Sequence, residues 1–174
     1  MSLPPIQDLP TLPATTQTNA LDLLFEPSPT LHRLVTPAVL SKSFPDYPAL
    51  IDDVHSVLIN LPSGSSDLHA VLGSHPRLGA PKVDSAQSAA EQAKLRGSAE
   101  QTARLAELNA EYEAAFPGLR YVVFVNGRGR PEIMTNMEER IKRGYLRAEE
   151  VEAINAMRDI AKDRASKLPI SAAP

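Results

Sequence analysis

Only Arg120-Tyr-Val-Val-Phe-Val125 concentrates β-branched and aromatic residues as a strand does, and no second stretch matches it. A lone strand has no partner edge. The run therefore reads as an extended segment pinned on helices, with backbone amides left for something other than a sheet. Asn126-Gly127, Gly129 and Pro131 turn the chain after it. Elsewhere apolar residues recur at helical spacing, so the expected fold is all-α: a compact single-domain helical bundle with one short extended segment near 120–125.

Helix signals divide the rest. Asn19 is a candidate cap for Ala20 to Phe25, and Ser28-Pro29 opens a second short helix reaching Val35. Leu50, Val54, Val57, Leu58 and Leu61 mark one face of a helix over Asp46 to Leu61, with His55 beside that face. A helix from Ser66 to Gly73 delivers the chain to His75. Ser85 can cap a helix running to Arg96, and Ser98 with Gln101 forms a capping box for a longer one that ends before Pro117. Glu132 to Arg143 and Arg147 to Lys167 complete the set, separated by Gly144. Pro4, Pro5, Pro10 and Pro13 among Ser, Thr and Gln predict a flexible tail over 1–18, leaving a helical domain over 19–168 and a C-terminal tail over 169–174.

Composition narrows function. A chain of 174 residues with 43% hydrophobic and 22% charged residues is sized for one domain with a sizeable core. A net charge of -3 gives no broad attraction for phosphate backbones or anionic lipid, so neither nucleic acid nor membrane is an expected partner. The absence of cysteine excludes thiolate catalysis and Cys-ligated zinc. No signal peptide or membrane span is evident, which predicts a protein that is not secreted; Ser166-Lys167-Leu168 would address peroxisomes only at the extreme C-terminus.

Four histidines are the only side chains whose ordinary pKa lies near neutrality, and His75 is the best placed of them. It opens His75-Pro76-Arg77-Leu78-Gly79, shortly before a helix on which Ser88, Glu91, Gln92 and Leu95 occupy positions i, i+3, i+4 and i+7. A hydroxyl, a carboxylate and an amide on one face can hold a single polar ligand. The competing reading makes that face the solvated side of an amphipathic helix, and makes His75 a surface residue capping the preceding helix. His69 and His75 fit no zinc spacing, so no metal is expected. The glycines after Val125 match neither a P-loop nor a dinucleotide fingerprint, and no nucleophile elbow exists.

Taken in order, His75-Pro-Arg-Leu-Gly, Ser88-Ala-Ala-Glu-Gln, Leu108-Asn-Ala-Glu-Tyr112, Phe116 to Val125 and Met137-Glu-Glu-Arg-Ile141 resemble the 2-oxo-4-hydroxy-4-carboxy-5-ureidoimidazoline (OHCU) decarboxylase family. The resemblance spans most of Asn19 to Leu168. It implies an all-helical fold and a small-molecule substrate. It implies cofactor-independent decarboxylation of the urate-derived ring to (S)-allantoin, in purine breakdown. Carried over residue by residue, it makes His75 and Glu91 catalytic. Pro76, Ser88, Gln92, Tyr121, Val122, Val123, Phe124, Val125 and Arg164 then fall at substrate-binding positions. It further implies a homodimer in cytoplasm or peroxisome. The surroundings of Asn126 and Arg164 differ from the family pattern, which keeps two alternatives in view: a non-catalytic helical interaction module on the same scaffold, and a decarboxylase of a related substrate.

Overall fold

A computed structural model describes residues 1–37, 40–80, 86–93 and 97–171. Among them the regular structure is helical. The α-helices are α1 (Ala14–Leu24), α2 (Pro29–Val35), α3 (Tyr47–Ile59), α4 (Ser66–Leu72), α5 (Ala86–Ala93), α6 (Ala99–Ala115), α7 (Arg130–Arg143) and α8 (Leu146–Lys167). The chain is all-α, as the sequence predicts, and residues 119–125 form a non-helical link between α6 and α7.

Local chemistry sets most boundaries. The Ser28, Asp46 and Ser65 side chains each accept a backbone N–H of the following first turn. At α6 the capping box is complete: the Ser98 hydroxyl accepts from Gln101 N–H, and the Gln101 side chain accepts from Ser98 N–H. Helix α7 starts at Arg130, two residues ahead of the expected Glu132, because Pro131 fits the first turn, whose N–H groups have no intrahelical partner. Gly144, at φ 61, closes it in the left-handed conformation. The expected Ser85 cap, Leu95 and the Arg96 helix end lie outside the described residues.

Intrachain contacts gather into two compact units, Met1–Pro62 with Ile154–Pro174, and Ser63–Ala153. In the first unit the proline-rich segment is not a tail. Leu3, Ile6 and Leu9 are buried, a short 3₁₀ helix covers Leu9–Thr11, and the Gln17 amide donates to the Leu9 carbonyl at 2.9 Å. The average composition of residues 1–18 hides these apolar residues at a spacing of three. Helix α1 accordingly begins at Ala14, with Asn19 inside it rather than capping it. The predicted C-terminal tail is also engaged at its start: Leu3 N–H donates to Pro169 O at 2.9 Å, and Ser171 N–H to Leu3 O at 2.8 Å. The Tyr47 hydroxyl donates to Pro4 O at 2.7 Å, and burial raises its pKa to about 12.

The second unit holds α4 to α7 and the start of α8. Helix α6 packs on α7. Leu105, Leu108, Tyr112, Phe116, Leu119, Ile133 and Met137 are all buried in this unit. Among the described residues no helix is long and apolar enough to cross a membrane.

Candidate active site

Helix α4 ends at Gly73, and a looser turn, with His75 N–H 3.4 Å from Leu72 O, carries the chain into His75. The imidazole is 5% exposed, which removes the reading of a surface histidine. The loop after it is fixed from two sides. From α5, the Gln92 carbonyl oxygen accepts Gly79 N–H at 2.8 Å while its amide N–H donates to Arg77 O at 3.2 Å. From α6, the Asn109 amide donates to Leu78 O at 3.0 Å. Gly79 has φ +78, which favours glycine, and a Cβ there would sit 2.7 Å from Leu105 Cδ2 and push that methyl aside.

Helix α5 inverts the usual burial pattern. Ser88 is 4% exposed, and Gln87, Glu91 and Gln92 are half-buried, whereas Ala86, Ala89, Ala90 and Ala93 are exposed. An amphipathic surface helix would turn its polar residues outward. The solvated-face reading therefore fails. Ser88, Glu91 and Gln92 share the inward face, and Gln92 joins it to the loop that follows His75.

The third element is the extended segment. Arg120 Nη1 donates to the His75 carbonyl at 3.0 Å, tying the segment's start to the histidine's own backbone. Tyr121 and Val122 are buried, while Val123, Phe124 and Val125 are half-buried. The Tyr121 ring belongs to the core: it lies edge-on to Tyr112 at 5.5 Å, and its hydroxyl donates to Asn136 Oδ1 at 2.6 Å. Burial raises its pKa to about 12. Of the predicted binding positions, Tyr121 can thus offer only backbone.

Beneath the segment, Arg140 and Glu149 form a buried ion pair, 4% and 0% exposed. Arg140 Nε donates to both Glu149 carboxylate oxygens at 2.9 and 3.0 Å, and Nη1 donates to Val122 O at 3.1 Å. Burial alone would lower the Arg140 pKa; the Glu149 carboxylate outweighs it, so the guanidinium stays charged. The Tyr112 hydroxyl also donates to Glu149, and burial pushes its pKa up. Sequence reasoning missed Arg120, Asn109 and this pair. The available signals were a polar Asn109 on the apolar face of α6 and an arginine inside Met137 to Ile141.

The other histidines serve structure: His32 bonds Asp22, His55 bonds Asn155, and His69 bonds the buried Glu150 at 2.8 Å. Arg164 lies in the first unit, 3% exposed, where it pairs with Glu26 at 2.8 Å and donates to Leu24 O and Phe25 O. Among the described residues no cluster of three His, Asp or Glu side chains could hold a metal. A cavity of about 630 Å³ borders the loop that follows His75, lined by Arg77, Leu78, Gly79, Leu105 and Asn109 among others.

Three comparisons bear on this arrangement. The fold is similar to the crystal structure of an (S)-allantoin synthase, with a TM-score of 0.63 and 18% identity over 94% of this chain and 54% of that one. The chain therefore spans about half the length of that protein. No curated protein sequence matches it. The OHCU decarboxylase family model matches residues 10–166, a range that takes in His75, α5 and the extended segment, and the chain belongs to that family.

Proposed function

We propose that the protein is a cofactor-independent carboxy-lyase that converts OHCU to (S)-allantoin, downstream of urate oxidation and hydrolysis, acting as a homodimer in cytoplasm or peroxisome. Beyond family membership, the observation that carries this reading is the inverted helix α5. Its buried hydroxyl and half-buried carboxylate and amide adjoin a loop that begins with a buried histidine.

The substrate carries a hydroxyl and a carboxylate on one ring carbon, next to a carbon doubly bonded to ring nitrogen. When the carbon–carboxylate bond breaks, carbon dioxide leaves and the electron pair forms a double bond between the two carbons, passing charge to the nitrogen. Formation of allantoin then requires the nitrogen to take up a proton, the hydroxyl proton to leave and the neighbouring carbon to gain one. The ring itself accepts the electrons, so the protein's tasks are orientation and proton transfer.

His75 handles the hydroxyl proton, with Pro76 shaping its surroundings. Glu91 and Ser88 hold ring and ureido nitrogens from α5, and Gln92 adds whatever donor and acceptor capacity its two loop bonds leave. The backbone of Tyr121 to Val125 meets the ring. Burial strengthens each polar contact by lowering the local dielectric.

The test generates the unstable substrate from urate with an oxidase and a hydrolase, adds the protein, and follows optical activity. Faster appearance of (S)-allantoin, lost in His75→Asn, is the expected result. No acceleration by folded protein would overturn the proposal in favour of a related substrate or a non-catalytic interaction module.

A further inference from the structure

Resting on the decarboxylase reading, we infer that Arg140 and Arg128 are positioning residues that clamp the carbonyls of the extended segment and so set the edge it offers to the substrate. An extended chain without a sheet partner must satisfy its backbone polar groups by other means. Here arginines do so. Arg140 Nη1 takes Val122 O at 3.1 Å, Arg128 Nη2 takes Phe124 O at 2.5 Å, and Arg128 Nε takes Val125 O at 3.2 Å. Between these held carbonyls lies Val123, half-buried, with no hydrogen bond among the described residues. Among the described residues its carbonyl is the one in Val122 to Val125 without a hydrogen bond, and it joins the segment's N–H groups as what this edge can offer.

Each clamp is itself fixed. Arg140 is locked by Glu149 and lies 4.6 Å from the centre of the Tyr121 ring. Arg128 sits one residue past the Asn126-Gly127 turn, whose φ values of 45 and 78 fold the chain back so that its own guanidinium reaches Phe124 and Val125. The clamped segment also begins with Arg120, which holds the His75 carbonyl. One rigid piece of backbone is thereby shared by the histidine loop and the substrate edge. A buried Arg–Glu pair is a weak source of stability, because desolvation offsets much of its attraction. Holding a carbonyl in one place is what a planar, multiply bonded guanidinium does well and a lysine does poorly.

The test uses Arg140→Lys and Arg128→Gln in the full chain, with Arg104→Lys on the exposed face of α6 as control. Two readouts are taken: steady-state kinetics on freshly generated OHCU, and backbone ¹⁵N order parameters of Val122 to Val125. The clamp predicts a KM raised about tenfold with kcat changed less than about threefold, and order parameters falling from about 0.85 towards 0.6, in both variants but not in the control. A purely structural role would lower the amount of folded enzyme and leave KM and the segment's order unchanged, which would overturn the proposal. If Arg140→Lys does not fold, Arg128→Gln decides alone. Should the wild-type protein fail to accelerate the reaction, the decarboxylase reading falls, and the order parameters still decide whether the arginines hold the segment.

Discussion

Helices α5 and α6 stand in the same unit and bury opposite kinds of side chain. Helix α6 turns Leu105, Leu108 and Tyr112 inward and leaves Glu100, Glu107 and Glu111 in solvent. Helix α5 turns Ser88, Glu91 and Gln92 inward and leaves its alanines exposed. The first arrangement stabilises by removing apolar surface from water; the second forgoes that gain and costs free energy wherever a polar group is imperfectly bonded. The contrast separates the helix that holds the unit together from the helix that we propose serves a ligand. Asn109 marks the meeting of the two roles, being the buried polar residue of α6 that grips the His75 loop.

The contrast is sharpest under Leu108→Ala. Leu108 is 0% exposed, so truncation should cost about 2–5 kcal/mol in urea unfolding, while kcat/KM per folded molecule stays near wild type. Little loss of stability would mean that α6 is not the anchor. Gly79→Ala should have a smaller effect, about 1–2 kcal/mol from the left-handed backbone alone, with added crowding of Leu105. Because Gly79 N–H is held by Gln92, this variant should also lose turnover. Full activity would show that the loop tolerates displacement from α5.

The smallest effect concerns pH. Glu150, 0% exposed, accepts from Gly64 N–H and His69 Nε2, each at 2.8 Å. Burial raises its pKa, but the bonds from Gly64, Ser63, His69 and Arg147 outweigh burial and leave it below the ordinary 4.5. A carboxyl lowered in the folded state contributes stability that is present above its unfolded pKa and lost as pH falls through the folded one. The stability difference between wild type and Glu150→Gln should therefore be full near pH 6 and shrink towards pH 3. A pH-independent difference in urea midpoints would assign the effect to packing instead.

Much of the fold was legible because its boundaries are made locally. The capping side chains of Ser28, Asp46, Ser65 and Ser98 act within three residues, and sequence spacing exposes them. Order in residues 3–17 was not legible, since it depends on Leu3 meeting Pro169 and Tyr47 reaching Pro4, contacts distant in sequence. At the site, His75, Ser88, Glu91 and Gln92 could be singled out by residue type and helical register. Periodicity could not say which way α5 faces, because its apolar residues are alanines that are content on either side. Nor could it foresee that Gln92 would be engaged with loop backbone, or that arginines would replace a sheet partner for Val122 and Phe124.

The central claim, that the inward polar face of α5 serves the substrate rather than the fold, is tested most directly by Glu91→Ala with turnover and unfolding measured on one preparation. A fall in kcat/KM for OHCU of about tenfold or more, with the urea midpoint unchanged or raised, is the predicted result. Wild-type turnover together with a lowered midpoint would contradict it, making Glu91 a structural residue and α5 part of the scaffold.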